Sequence, residues 1–382
     1  MVLVVLAAAL AGVLPAAVPA GARHLAPSAD SGLQLEGVSA ESASDVWAVG
    51  VTSGSDQQPE IVHWNGTGLS RVPTNLAPAG QIIPGELHAV SADSPADAWA
   101  VGWVSPPRTH MVQSLVLRWD GSRWARVTSP NQSPVANDLK LVKAIGPSDV
   151  WAAGDYLDTR THTRRSVVIH WDGTKWSTIQ FPAAVAKQLA ISGFTSVDPV
   201  GPKSVFALAY HAVRVGHGSI RSDEILHWNG RSWQKTKPFF GAGLSGVSAS
   251  SSGDAWAVGY FCIPNNCPPF QTLALHLSGG NWRYSPTPHP GCKGFTPRCK
   301  GDSRLVSVTA HSPSAVWAYG SCKGECRDGH TVILSRKGDS WSRVAAPGVT
   351  FSSAISPASA TDAWAIGGGS LLHWDGSSWT RM

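Results

Sequence analysis

The chain has 382 residues, of which 14% are charged, with 39 Gly, 27 Pro and 18 Trp. Disorder requires few aromatics and a high net charge, so this composition describes a packed globular chain. The formal charge of +5 is spread thinly, without the dense Lys/Arg stripe of a nucleic-acid binder, so no nucleic-acid partner is expected.

Residues 1–22 carry no charged side chain and run apolar from Val2 to Val18, closing on Ala20-Gly21-Ala22. An apolar core before a small-x-small site predicts a secretory signal peptide cut after Ala22. The competing reading is an uncleaved membrane anchor. Pro15 and Pro19 count against it, since a spanning helix needs about 20 apolar residues. No later stretch could span a bilayer, so the chain from Arg23 is expected to be secreted or held at the cell surface. Residues 23–32 read as a linker.

From residue 33 onward one pattern recurs seven times. Asp45-Val46-Trp47-Ala48-Val49-Gly50 returns as Asp97-Ala98-Trp99-Ala100-Val101-Gly102, then around Trp151, Phe206, Trp256, Trp317 and Trp364, at spacings of 47 to 61 residues. Ala follows the aromatic in every copy, and Gly closes six of them, with Ala209 in the other. Upstream lies a strand centred on a small residue and a β-branched one: Gly37-Val38, Ala89-Val90, Ala144-Ile145, Ser196-Val197, Gly246-Val247, Ser307-Val308 and Ala354-Ile355. Downstream come hairpins such as Trp119-Asp120-Gly121-Ser122-Arg123-Trp124 and His373-Trp374-Asp375-Gly376-Ser377-Ser378-Trp379. Asn-Gly and Asp-Gly between strands predict type I′ turns. The Asp before the aromatic (45, 97, 149, 254, 362) suits a side-chain-capped turn between the first two strands.

Periods of this length mean a repeat architecture. Trp and Ala, adjacent in one strand, point to opposite faces, so the Trp face of one sheet can pack on the Ala face of the next. The prediction is an all-β, seven-bladed β-propeller of four-stranded antiparallel blades. Its blades span about 33–75, 85–132, 138–183, 189–240, 243–294, 303–347 and 350–382, with a short helical turn at 182–191. No strand is left over for exchange, so blade 7 should close the ring by packing on blade 1. Seventeen of the 18 tryptophans occupy three repeat positions and are read as core. The histidines at 63, 170, 227, 276 and 373 fall one per blade and are read as structural rather than as metal ligands.

All six cysteines lie after residue 261. Cys262 and Cys267, Cys292 and Cys299, and Cys322 and Cys326 form close pairs, and local disulfides are the preferred of 15 possible pairings. Zinc is the competing idea, but the spacings lack a C-x2-C knuckle. No metal or cofactor is expected.

The repeat resembles the kelch and galactose-oxidase-like propeller group found in secreted bacterial proteins. The likeness is carried by Val46-Trp47-Ala48-Val49-Gly50 and its copies together with the Trp-Asp-Gly-x-x-Trp hairpin, and it covers nearly all of 33–382. The kelch double glycine survives only as Gly367-Gly368. Trp-Asp also resembles WD40 repeats, but their opening Gly-His is absent. The sialidase Asp-box has a residue between Asp and Gly that is missing here. The copper ligands of galactose oxidase find no counterpart, so the resemblance implies a fold and no chemistry.

The connections between the second and third strands, and between blades, emerge on one face and vary most in length, so function is expected there. Trp103, the one Trp outside the repeat positions, suits a sugar ring; Tyr156 and Tyr260 follow their strands and could join it. Blades 2 to 4 contribute Arg108, His110, Arg160, Arg164, Arg165, Arg214 and Arg221 to loops there, and guanidinium groups favour carboxylates, sulfates or phosphates. No Ser/His/Asp order, phosphate loop or H-E-x-x-H motif occurs, so no catalytic residue is assigned. The expected function is a binding scaffold for a glycan or extracellular protein. The alternatives are a carbohydrate-active lyase or hydrolase with loop-borne groups, and a structural cell-surface protein.

Overall fold

The computed structural model describes residues 23–24, 32–54, 57–76, 81–107, 109, 111–180, 194–215, 218–236, 242–262, 270–288, 301–323, 331–346, 351–359 and 361–382, with no helix among them. The signal segment, the predicted turn at 182–191, and Arg108 and His110 lie outside these residues. Of the six cysteines, only Cys322 is described through its side chain: it is buried, its sulfur is not free, and Ser303 Oγ lies 3.3 Å from it.

Seven antiparallel sheets form a ring, each built from one contiguous stretch of chain. The strands of a blade are called a to d from the axis outward. In blade 1 they are Leu33–Ser42, Asp45–Thr52, Pro59–Trp64 and Leu69–Arg71. Strand a starts at Gly85, Asn137, Phe194, Ala242, Asp302 and Phe351 in blades 2 to 7, and strand d ends at Arg126, Thr178, Lys235, Tyr284, Val344 and Arg381. Arg23–His24, expected in a linker, pairs with Leu69–Arg71 as a fifth strand on the outer edge of blade 1. It covers backbone groups that an open sheet edge would leave unpaired.

The joint between blades is the Trp-on-Ala packing the repeat predicts, and it is made seven times. Trp47 packs with Ala98 and Ala100, Trp99 with Ala152, Trp151 with Ala207, Phe206 with Ala257, Trp256 with Ala318, and Trp317 with Ala365. Trp364 of blade 7 meets Ala48 of blade 1, so the last joint repeats the other six and no strand is exchanged. The Ala40 amide donates to Ser356 Oγ at 2.9 Å across this seam. Thirteen of the 17 repeat tryptophans are buried; Trp64, Trp228, Trp282 and Trp379 are half-buried at outer positions.

In five blades the b-strand aromatic stacks on a strand-c histidine. His63, His170, His227, His276 and His373 lie 4.0 to 4.4 Å, ring to ring, from Trp47, Trp151, Phe206, Trp256 and Trp364. The Asp two residues before the aromatic does not cap the a–b turn as expected. It accepts from the histidine across the sheet, as in His63 Nε2 to Asp45 at 2.7 Å and His276 Nε2 to Asp254 at 2.8 Å. A carboxylate buried beside an indole needs a charge-matched donor more than the turn needs a cap.

The c–d hairpins also differ from expectation. The Asp or Asn keeps negative φ, and only the glycine is left-handed, as at Gly121 (φ 89°) and Gly173 (φ 95°). These are therefore four-residue loops and not type I′ turns. Their first side chain folds back: Asp120 Oδ1 accepts from the Ser122 amide at 2.9 Å, the Ser122 hydroxyl at 2.7 Å and the Arg123 amide at 2.9 Å.

A β-bulge sits in strand a where the register slips, between Leu35 and Gly37, Leu87 and Ala89, Leu139 and Leu141, and again in blades 4 to 6. It presses the carbonyl two residues earlier against the glycine that closes strand b. A Cβ on Gly50, Gly102 or Gly154 would lie about 2.0 Å from that oxygen. The glycine of the repeat is thus a steric consequence of the bulge. The register also corrects blade 3, where Leu141-Val142, not Ala144-Ile145, takes the place of Gly37-Val38. Elsewhere that first residue is Gly, Ala or Ser because the next blade is close: a Cβ on Gly37 would meet the His88 carbonyl at 2.8 Å. In blade 3 a leucine, Leu141, holds this place and packs at the joint with blade 4.

Candidate functional site

Strand a runs away from the face that carries the b–c connections, so the first half of each a strand lines the axial channel at that face. The bulge re-aims one residue per blade. In blades 1 to 3 that residue is Glu36, His88 and Lys140. Two residues earlier stand Glu86 and Asp138, opposite Trp103 and Asp155 of their own b strands.

These groups form one ionic chain across three blades. His88 Nδ1 donates to Glu36 Oε2 at 2.8 Å, and its Nε2 faces Asp138 Oδ1 at 3.1 Å. Lys140 Nζ lies 3.9 Å from Asp138 and 2.6 Å from Asp155, which also receives the Arg164 guanidinium. Burial opposes charge on His88, but hydrogen bonds to Asp138 and Glu36 prevail and carry its pKa up to about 10. The His88 hydrogen bond lowers the pKa of Glu36 against the effect of burial. Burial first, and the adjoining Glu36 second, raise that of Glu86.

At the far end of this chain the joint between blades 3 and 4 opens as a cleft of about 300 Å³. Lys140, Leu141, Asp155, Arg164, Arg165, Phe194 and Tyr210 are among its walls. Lys140 and Arg164 stand at it with the carboxylate of Asp155, beside Phe194 and Tyr210. Arg165, opposite Tyr156 in the hairpin, sends its side chain to the blade 2 side of the sheet, its Nε 2.7 Å from Asp158.

The predicted residues divide accordingly. Arg164 reaches the cleft, whereas Arg165, the next residue of the strand, points to the opposite face of blade 3. Trp103 lies in strand b of blade 2, half-buried, its Nε1 donating to Glu86 at 3.4 Å, so it belongs to the channel mouth. Tyr156 packs into the joint between blades 2 and 3 and pairs across the hairpin with Arg165. Arg160 projects into solvent at the hairpin tip, 3.5 Å from Asp158. Tyr260 stands apart in blade 5, edge-on to Phe270 and under the Arg304 guanidinium. The side chains of Arg214 and Arg221 lie outside the described residues, as do Arg108 and His110 entirely.

The segments expected as loops in blades 3 and 4 are strands. The ladder continues through Asp158↔Thr163 and through Val215↔Gly218, making hairpins that project from the face. The β-branched and alternating residues there keep pairing beyond the blade. Sequence reasoning missed Glu36, Glu86, His88, Asp138 and Lys140 because it sought the site in the loops. The available signal was a charged residue inside an otherwise apolar inner strand: Leu35-Glu36-Gly37, Leu87-His88-Ala89 and Leu139-Lys140-Leu141.

No protein-family model and no curated protein matches the chain. Solved structures do match in fold. YCF48 bound to D1 peptide is similar with a TM-score of 0.57 at 14% identity, over 92% of this chain and 94% of that one. The β-propeller domain of the Trilobed protease from Pyrococcus furiosus, described as having an open velcro topology, gives 0.56 at 8% identity, over 91% and 97%. The PL25 ulvan lyase, a polysaccharide lyase bound to -[GlcA(1-4)Rha3S]-, gives 0.51 at 10% identity, over 89% and 91%. At such identities the likeness establishes the propeller fold alone.

Proposed function

We propose that this chain is a secreted binding propeller that takes an acidic glycan, one bearing carboxylate or sulfate groups, on the face of its b–c connections. The observation that supports this most is the cleft between blades 3 and 4, where Lys140 and Arg164 stand beside Phe194 and Tyr210. Guanidinium groups pair with planar or tetrahedral oxyanions through two donors, and aromatic rings stack on the apolar face of a sugar. Trp103, one blade away, supplies a second stacking surface for a longer chain. Two fold neighbours that hold an extended ligand, the D1 peptide in one and a uronate-containing saccharide in the other, are compatible with this use of a propeller face. The kelch-like pattern of the repeats and the cysteine-bearing loops of blades 5 and 6 fit a secreted protein of this kind, with local disulfides.

The test is an array of uronate- and sulfate-bearing oligosaccharides probed with the chain from Arg23. The double variant Lys140→Ala/Arg164→Ala should lower the affinity at least tenfold, because each charge-assisted contact contributes about 1.5–3 kcal/mol. Its melting temperature should stay within a few degrees of the parent, both side chains being at the surface. Unchanged binding in the double variant would remove the cleft from the account. A carbohydrate-active enzyme is the second reading, favoured by the adjoining carboxylates of Glu36 and Glu86 at the channel mouth. Shortening of any bound oligosaccharide on prolonged incubation would establish it in place of simple binding.

A further inference from the structure

Glu36, Glu86 and His88 each present one ligand atom to a common point, and these atoms all lie within 4.8 Å of one another. The three come from two neighbouring inner strands. The bulges that re-aim Glu36 and His88 are backbone features of those strands, so the arrangement is set by the sheet and not by loop placement. His88 Nδ1 is on the Glu36 side, while Nε2 faces Asp138 at 3.1 Å. Nε2 of His88 and Oδ1 of Asp138 are both buried. A carboxylate behind the imidazole is the arrangement that fixes a metal-binding histidine in orientation and tautomer. Glu36 is 38% exposed in its side chain, so the point where the ligand atoms converge is open to the channel.

We propose that Glu36, Glu86 and His88 bind a divalent first-row cation, Mn²⁺ or Zn²⁺, at the mouth of the axial channel, the ion replacing the proton that His88 Nδ1 donates to Glu36, which leaves to solvent, with Asp138 as the group that positions His88. The donor set decides the class. One imidazole nitrogen with two carboxylate oxygens suits Mn²⁺ and Zn²⁺, whereas Ca²⁺ and Mg²⁺ take oxygen alone. Three protein ligands leave open positions facing the channel, the pattern of a site that also takes water or a ligand oxygen. Trp103, donating to Glu86 Oε2 at 3.4 Å, holds that carboxylate from its outer side. The ion would stand beside the ligand path from Trp103 to the cleft, but its binding does not depend on the glycan reading.

The experiment titrates MnCl₂ and ZnCl₂ into the chelator-stripped chain by calorimetry, with Glu36→Gln, His88→Gln and Asp138→Asn in parallel. One equivalent is expected to bind, with affinity at least tenfold lower in Glu36→Gln and His88→Gln. For Asp138→Asn the expected loss is about 10- to 100-fold. Glu36→Gln changes an accessible side chain, and its circular dichroism should match the parent. A measurement without any variant is pulsed electron paramagnetic resonance of bound Mn²⁺, where one histidine nitrogen should couple to the ion. No bound equivalent, equal affinity in all four proteins, or oxygen coupling alone would overturn the proposal.

Discussion

A carboxylate set beside a buried indole must find a donor, and the blades meet this need with different residues. Blades 1, 3, 5 and 7 use Asp with His. Blade 2 places Arg118 there instead, bonded to Asp97 at 2.7 Å and lying 5.0 Å over Trp99. Blade 4 pairs Ser204 with His227 at 2.9 Å, and blade 6, with Ala315 and Ser335 at the two places, has neither charge. The partners change together because either one alone would be a buried unpaired group. The hairpin carboxylates give a pH dependence of known sign. Hydrogen bonds from the Ser122 hydroxyl and the Ser122 and Arg123 amides hold Asp120 down to about 2, and the Thr174 hydroxyl with the neighbouring amides does the same for Asp172. Folded values below the ordinary one mean stability that is present above about pH 4 and lost as pH falls toward 2. Urea midpoints should therefore fall between pH 4.5 and 2, and the fall should be shallower in Asp120→Ala/Asp172→Ala. An identical slope in that variant would show that other groups control acid unfolding.

The bulged inner strand is the element on which both the scaffold and the site depend. In blades 1, 2, 3, 5 and 6 it presses a carbonyl against the glycine of strand b, and in blades 1 to 3 it re-aims Glu36, His88 and Lys140. Gly102→Ala would put a methyl 1.9 Å from the Glu86 carbonyl, so the bulge would have to shift. The expected cost is about 1–3 kcal/mol by urea denaturation, as for other overpacked positions. Gly253→Ala, with nothing within 4 Å of its added methyl, should leave stability nearly unchanged. Much of this element was legible in the sequence: the small-then-β-branched centre, the aromatic-Ala pair and the closing glycine all mark real constraints. The bulge itself was not, since one extra residue in a strand leaves hydrophobic alternation on either side intact. That is why the centre of blade 3 was set three residues late and why Glu36, His88 and Lys140 passed for ordinary inner-strand residues.

At the scale of the whole molecule, seven joints close a ring, and the joint with leucine in the small-residue place carries the candidate site. Leu141 fills a place held elsewhere by Gly, Ala or Ser, and the joint it occupies is the one that opens as the cleft. The repeat revealed the ring because six joints set Trp on Ala and the seventh sets Phe206 on Ala257. It left the cleft hidden because a gap between blades depends on how two sheets are spaced, which no single strand encodes. Arg164 and Arg165 were identified in advance from their charge, but that Arg164 alone turns to Phe194 and Tyr210 comes from the setting of one blade against the next.

Hydrogen exchange of the chain with and without a bound acidic oligosaccharide tests the central claim most directly. Amide protection should rise at the cleft, in 138–141, 153–158 and 163–166, while the c–d hairpins at 120–123 and 172–175 on the opposite face stay unchanged. Protection confined to those hairpins, or absent from the cleft, would contradict the assignment of this face.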